Sequence, residues 1–330
     1  MDQKLQKILI IQTAFIGDAI LATALVENLA ENIADPTIDM LVRKGNESLL
    51  ANNPNIHRIL IWEKKQHKYK NLFGLIKTIR NSKYDAIINL QRFAATGLIT
   101  ALSGAKFKIG FEENPFSGFY TRSIPHDVKS GIHEVERNQQ LIEDFAGKEA
   151  STPRLYPSVE DFQSVQSYKN EKYICIAPTS VWFTKQFPAH KWLDFIKTVP
   201  EDITIYLLGG PDDFAACEHI KDQSDGDYVV NLAGKLTFLQ SAALIKDAIM
   251  NYVNDSAPMH ISSSVNAPTT AVYCSTLPQF GFGPLADDAT IVETKQILDC
   301  RPCGLHGKKT CPKGHFDCAE TIELKWKSSS

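Results

Sequence analysis

No apolar run in this chain of 330 residues approaches the roughly 18 residues that a membrane-crossing helix needs. That excludes a helical integral membrane protein. The start, Met1-Asp2-Gln3-Lys4-Leu5, runs straight into a strand-like segment. It lacks the apolar core of a secretory signal, so the expected location is the cytoplasm. Charge of one sign is missing too. With 35 Lys and Arg against 38 Asp and Glu, the net charge of −3 gives no reason to expect a nucleic-acid partner. The first loop, Gln12-Thr-Ala-Phe-Ile-Gly17, lacks the G-x-G-x-x-G spacing of dinucleotide dehydrogenases. Short-period repeats are absent. Disulfides are not expected in the cytosol. Cys175, Cys217 and Cys274 sit singly in apolar surroundings and read as buried thiols.

What is present is ordinary globular composition, 43% hydrophobic and 22% charged. The length is generous for one domain and comfortable for two. Apolar β-rich runs alternate with amphipathic stretches. Ile8–Ile11, Ile38–Val42, Ile59–Trp62 and Ala86–Leu90 read as strands, and Asp18–Glu31, Leu72–Arg80 and Thr96–Leu102 as helices. Ser151-Thr-Pro-Arg-Leu-Tyr-Pro-Ser158 breaks the rhythm with two prolines and reads as a linker. Strands then resume at Tyr173–Ala177, Ile203–Leu208, Tyr228–Asn231, Ile249–Val253 and Thr269–Tyr273, with helices at Lys191–Thr198 and Thr237–Lys246. The expectation is an α/β protein of two doubly wound, Rossmann-like domains, residues 1–155 and 156–330, each with a parallel sheet.

Ligands of such sheets bind where strands end and helices begin. Four junctions qualify. Gly17-Asp18 closes the first loop; Asp18 reads either as a helix cap or as a general base. Ala177-Pro-Thr179-Ser180-Val-Trp-Phe-Thr184-Lys185-Gln-Phe-Pro188 offers a cation and hydroxyls to a phosphate, although Lys185 also fits a solvated surface. Gly209-Gly210 permits a close ligand approach or a plain turn. Asn254-Asp255-Ser256-Ala257-Pro258-Met259-His260 leads into a helix whose start attracts phosphate, with Asp255 placed for sugar hydroxyls. His260 alone is as consistent with a structural histidine. Near the end, Cys300, Cys303, Cys311 and Cys318 either ligate a structural zinc or stay reduced; the later spacings are not those of a standard finger.

In this order and spacing, Ile16-Gly17-Asp18-Ala-Ile-Leu21, Trp182-Phe-Thr-Lys185-Gln-Phe-Pro188 and Asp255-Ser-Ala-Pro-Met-His260 resemble the lipopolysaccharide heptosyltransferases, glycosyltransferase family nine. The cysteine tail is similar to that of the heptosyltransferase II branch. The resemblance implies a GT-B fold, two Rossmann-like domains facing a cleft, with acceptor on the N-terminal domain and nucleotide-sugar on the C-terminal one. It implies inverting transfer of heptose from ADP-L-glycero-β-D-manno-heptose to the inner core of lipopolysaccharide in a Gram-negative bacterium, with no cofactor required. Asp18 falls on the general base, Lys185 on the phosphate-binding lysine and Asp255 on the donor-sugar carboxylate. Ser256, Ala257, Met259 and His260 fall where pyrophosphate is received. Gly17, Arg92, Arg122 and His133 are expected to meet a lipid A–Kdo or heptose acceptor. Arg43, Lys44, Lys64, Lys65, Lys68 and Lys70 are further loose cations, the last four a dense run fit to touch the cytoplasmic face of an anionic inner membrane or to remain solvated. Ala257, Ser262, Ser263 and Cys274-Ser275-Thr276 differ from the family pattern, which has Gly, two alanines and Gly-Pro-Thr there. Rival readings are a same-fold enzyme using another nucleotide-sugar, such as an epimerase, and a non-catalytic binding protein.

Overall fold

The computed structural model describes residues 5–64, 67–224 and 226–326. The chain divides into two compact units, Met1–Tyr156 and Pro157–Ser330.

The first unit runs β1 (Lys7–Ile11), α1 (Ile16–Leu21), α2 (Thr23–Asn32), β2 (Thr37–Arg43), β3 (Ile56–Trp62), α3 (Lys68–Ser82), β4 (Ala86–Asn89), α4 (Ala94–Leu102), β5 (Phe107–Phe111), β6 (Arg122–Ile124), α5 (Glu134–Gln140) and α6 (Glu143–Ala146). Its sheet has the order β3-β2-β1-β4-β5-β6, every pair parallel. Ile8, Leu9, Ile10 and Ile11 are fully buried, as expected of a central strand covered on both faces. Leu9 and Ile11 pack with Leu72, Ile76 and Ile79 of α3.

The helix expected over 18–31 is two helices. The Thr23 hydroxyl donates to the Ile20 carbonyl (2.7 Å) and accepts from Arg154 N–H (2.9 Å), so the backbone ladder changes partners at Ala22. Ala22 keeps right-handed helical angles, and the apolar period therefore runs on unbroken. Residues 151–158 carry no regular structure. They are tied to α2 by that Thr23 bond and by the Tyr156 hydroxyl donating to Glu27 (2.7 Å).

The second unit runs α7 (Val159–Ser164), β7 (Tyr173–Ala177), α8 (Ala189–Ile196), β8 (Thr204–Leu207), α9 (Phe214–Asp222), β9 (Val229–Asn231), α10 (Phe238–Lys246), β10 (Asn251–Asn254), α11 (Ala257–Ser264), β11 (Thr269–Tyr273), β12 (Ala289–Glu293) and α12 (Asp317–Glu320). Ser158 and Asp161 cap α7 reciprocally, at 3.1 and 2.8 Å. The sheet order is β12-β11-β10-β7-β8-β9, again parallel. Counted from its own first strand, this is the arrangement of the first sheet. In each, the order reverses between the first strand and the fourth, at β1/β4 and at β7/β10. Those switch points are where α/β sheets bind ligands.

Candidate active site

At the β7/β10 switch point, Asn254 at the end of β10 is fully buried and organises the loop after β7. Its Oδ1 accepts from Phe187 N–H (2.9 Å), and its Nδ2 approaches the Ala177 and Thr179 carbonyls (both 3.4 Å). The short 3₁₀ turn Phe183–Lys185 is thereby held over the strand ends. Lys185 Nζ lies 2.7 Å from Asp255 Oδ2, with side chains 15% and 8% exposed. The Thr276 hydroxyl donates to the same oxygen at 2.6 Å. Beside this carboxylate, Ser256 precedes α11 with its hydroxyl turned to the Asn254 carbonyl (3.4 Å), and Ala257 and Pro258 begin the helix, all three half-buried. The side-chain hydroxyls of Thr179 and Ser180 have no hydrogen-bond partner among the described residues. A lysine with one donor committed, two open hydroxyls and a helix start form a site for a phosphate-bearing ligand.

At the β1/β4 switch point, α1 begins at Ile16, two residues earlier than the sequence suggested, so Asp18 is its third residue. Asp18 Oδ2 accepts from Phe15 N–H (3.2 Å), so the carboxylate does cap the helix. Asp18 is still half-exposed. Asn46 Nδ2 donates to the Ala14 carbonyl (3.2 Å) and the Arg43 guanidinium lies over the Phe15 ring (5.0 Å), which fixes the loop that leads into α1. Lys64 Nζ donates to the Thr13 carbonyl (2.7 Å). Gln91 Nε2 donates to Gln12 across the two strand ends. Arg92 is half-buried on the loop after β4 and pairs with no carboxylate among the described residues.

Several expected site residues have other employment. Thr184 is fully buried; its hydroxyl oxygen accepts from Ser275 Oγ (2.9 Å) and Lys308 N–H (2.8 Å), so it offers nothing to a phosphate. Met259 lies in the core with Ala177, Val253, Ala271 and Tyr273, and His260 is buried at 6% exposure, because both fall on the inward face of α11. Gly209 and Gly210 form a turn. A Cβ on Gly209 would stand 2.7 Å from that of Asp213, and Gly210 N–H donates to Asp213 Oδ2 (2.8 Å). Arg122 is bound to Glu143 (2.9 Å) and Asp144 (2.7 Å), pinning α6. His133 caps α5, its Nδ1 accepting from Val135 N–H (3.2 Å). Lys65 lies outside the described residues, as does the side chain of Lys68. Sequence reasoning missed Thr276 as a site residue. The signal for it was its place just past the end of β11, beside the strand that ends in Asp255.

Cys300, Cys303, Cys311 and Cys318 line one cavity of about 350 Å³ with Lys308 and His315. Cys300 Sγ is 3.8 Å from His315 Nε2, and Cys303 Sγ points to the Cys300 carbonyl (3.6 Å). Among the described residues, no three His, Cys, Asp or Glu side chains are placed to share a metal ion. Burial and the neighbouring thiols push the Cys318 thiol up to about 12. The loop from Cys300 also acts as a brace. Cys303 N–H donates to the Ser275 carbonyl (2.8 Å), Thr184 N–H donates to the Lys308 carbonyl (3.1 Å), and Arg301 Nη2 donates to the Thr276 carbonyl (2.9 Å).

Two parallel sheets of this order, one with a clamped lysine and the other with a helix-start carboxylate at its switch point, are the GT-B architecture. Solved structures share the whole fold. One is the ADP-heptose lipopolysaccharide heptosyltransferase II of E. coli, at TM-score 0.78 and 20% identity, covering 90% of this chain and 96% of that one. Another is a family 9 glycosyl transferase from Veillonella parvula, at TM-score 0.80 and 21% identity, covering 97% and 98%. The sequence profile of glycosyltransferase family 9 (heptosyltransferase) matches residues 72–314, and the chain belongs to that family. Among its relatives is lipopolysaccharide heptosyltransferase 3 of E. coli K12, 28% identical over 79% of this chain and 80% of the relative.

Proposed function

We propose that this glycosyltransferase moves heptose, with inversion, from ADP-L-glycero-β-D-manno-heptose to the inner core of lipopolysaccharide. The observation that carries the reading is the buried Lys185–Asp255–Thr276 cluster beside the start of α11. The adenosine diphosphate lies against Lys185, the Thr179 and Ser180 hydroxyls and the α11 amides, and Asp255 holds heptose hydroxyls. Asp18, with Gly17 and Arg92 beside the acceptor, takes the proton of the attacking hydroxyl. The acceptor oxygen bonds to the anomeric carbon from the face opposite the leaving group. The carbon–oxygen bond to ADP breaks, and its electron pair leaves with the pyrophosphate. Lys185 and the helix start stabilise that charge as it develops, so the reading asks for no cofactor. The acceptor is lipid-linked, which places the work at the cytoplasmic face of the inner membrane by peripheral contact.

The test is ADP release from ADP-heptose with O-deacylated acceptors ending in Kdo or in one heptose. Acceptor-dependent release is expected, and Asp18→Asn should lower it by about 10²–10⁴-fold with the fold intact. The better acceptor names the heptose position. Release from UDP- or GDP-sugars instead, or ADP binding without transfer to either acceptor, would sink the reading.

A further inference from the structure

The outward face of α3 has a composition that a solvated helix does not need. Its inner residues Leu72, Ile76 and Ile79 are buried in the first unit's core. On the other side, Tyr69, Phe73, Lys77 and Arg80 follow at intervals of four, four and three residues, one stripe along the helix. Tyr69 is 72% exposed and Phe73 60%. Residues 67–83 contain five Lys and Arg and no Asp or Glu, in a chain whose net charge is −3. Lys70, Lys77, Arg80 and Lys83 form no ion pair among the described residues.

The first turn of α3 leaves the carboxyl end of β3. From the same edge of the sheet, the loops after β1, β4 and β5 expose Phe15 (54%), Phe93 (66%) and Phe119 (65%). Rings beside uncompensated cations suit the boundary between lipid headgroups and acyl chains, where aromatics enter and ammonium and guanidinium groups meet anionic phosphates.

We propose that this face of α3 docks the protein on an anionic bilayer, with Tyr69 and Phe73 entering the headgroup layer and Lys77, Arg80 and Lys83 held against lipid phosphates. The choice of a bilayer rests on the lipid-linked acceptor proposed above. The contact itself involves neither donor nor acceptor.

The experiment is sedimentation of the full chain with acceptor-free vesicles. Phosphatidylethanolamine mixed with phosphatidylglycerol is compared with phosphatidylcholine alone. The wild type should pellet with the anionic vesicles and not with the neutral ones. Tyr69→Ser/Phe73→Ser and Lys77→Glu/Arg80→Glu should each bind at least about tenfold more weakly, with salt releasing the wild type but having little further effect on the charge variant. Both variants should keep wild-type melting temperature and wild-type transfer to water-soluble acceptors. A wild type that stays in solution, that binds neutral vesicles equally, or that is matched by both variants would overturn the docking face. Vesicle binding by a chain that transfers no heptose would defeat the transferase reading and leave the docking face standing.

Discussion

Asp255 is held by a lysine and a hydroxyl at once, and both it and Lys185 are largely withdrawn from water. Removing one member of a buried ion pair strands the other, at a cost of about 3–5 kcal/mol, whereas replacing both by apolar groups is often near neutral. Lys185→Met alone and Asp255→Leu alone should therefore lower the melting temperature, and the double variant should recover most of the loss. Activity should be absent in all three. Recovery of transfer in the double variant would mean the pair is only structural. A second buried group, Glu134, bears on stability in acid. Burial alone would raise the Glu134 carboxyl, but the His126 hydrogen bond and charge and the Arg137 guanidinium outweigh it and hold it below its ordinary value of 4.5. A depressed carboxyl stabilises the folded state above its unfolded pKa, and the stabilisation disappears as pH falls through the lower folded value. Glu134→Gln should be less stable than wild type near neutrality and lose less melting temperature between about pH 5 and pH 3. Parallel melting curves over that range would show that Glu134 does not govern the acid limb.

At the scale of elements, the sequence made the central strands legible and the edges illegible, for physical reasons. β7 and β11 stand where their apolar runs put them, because a strand buried on both faces must be apolar throughout. β5 was invisible because Phe107-Lys-Ile-Gly-Phe111 interrupts its run with Gly110. That residue must be glycine: a Cβ there would sit 2.6 Å from the Tyr120 ring and 2.9 Å from the Asn89 carbonyl. β6 has three residues, and β12 is a half-exposed edge strand with no burial period to read. The site divided likewise. Lys185 and Asp255 were readable as charge at strand ends. The fixed roles of Thr184 and Arg122 depend on partners 91 and 21 residues away, which only the fold discloses. The brace after Cys300 is such a tertiary feature, and it bears on Lys185. Gly307 has φ +77, and a Cβ on it would press at 3.0 Å on both Lys185 Cγ and Thr184 Oγ1. Gly307→Ala should therefore displace the lysine and lower turnover by up to about 10²-fold, with a smaller loss of stability of about 1 kcal/mol from the left-handed backbone. Unchanged kinetics on the donor would separate the brace from the site.

On the scale of the whole molecule, two units with the same strand order place different groups at their switch points. The second offers Lys185 and a helix start with half-exposed Ser256 and Ala257. The first offers the carboxylate of half-exposed Asp18 in the first turn of α1, just where a phosphate would otherwise sit. A carboxylate in the first turn takes up the helix start that in the second unit stays open to a phosphate. ADP should therefore bind to one unit only, although the topology would admit it to both. Hydrogen exchange of the full chain with saturating ADP should slow at residues 178–187 and 254–260 and stay unchanged at 12–20. At about 100 times its dissociation constant the ligand adds about 2.7 kcal/mol to the unit that holds it, and only that unit's transition should move in a thermal scan. Protection centred on Gln12–Asp18 would reverse the assignment of donor and acceptor, and with it the role of Asp18 as base.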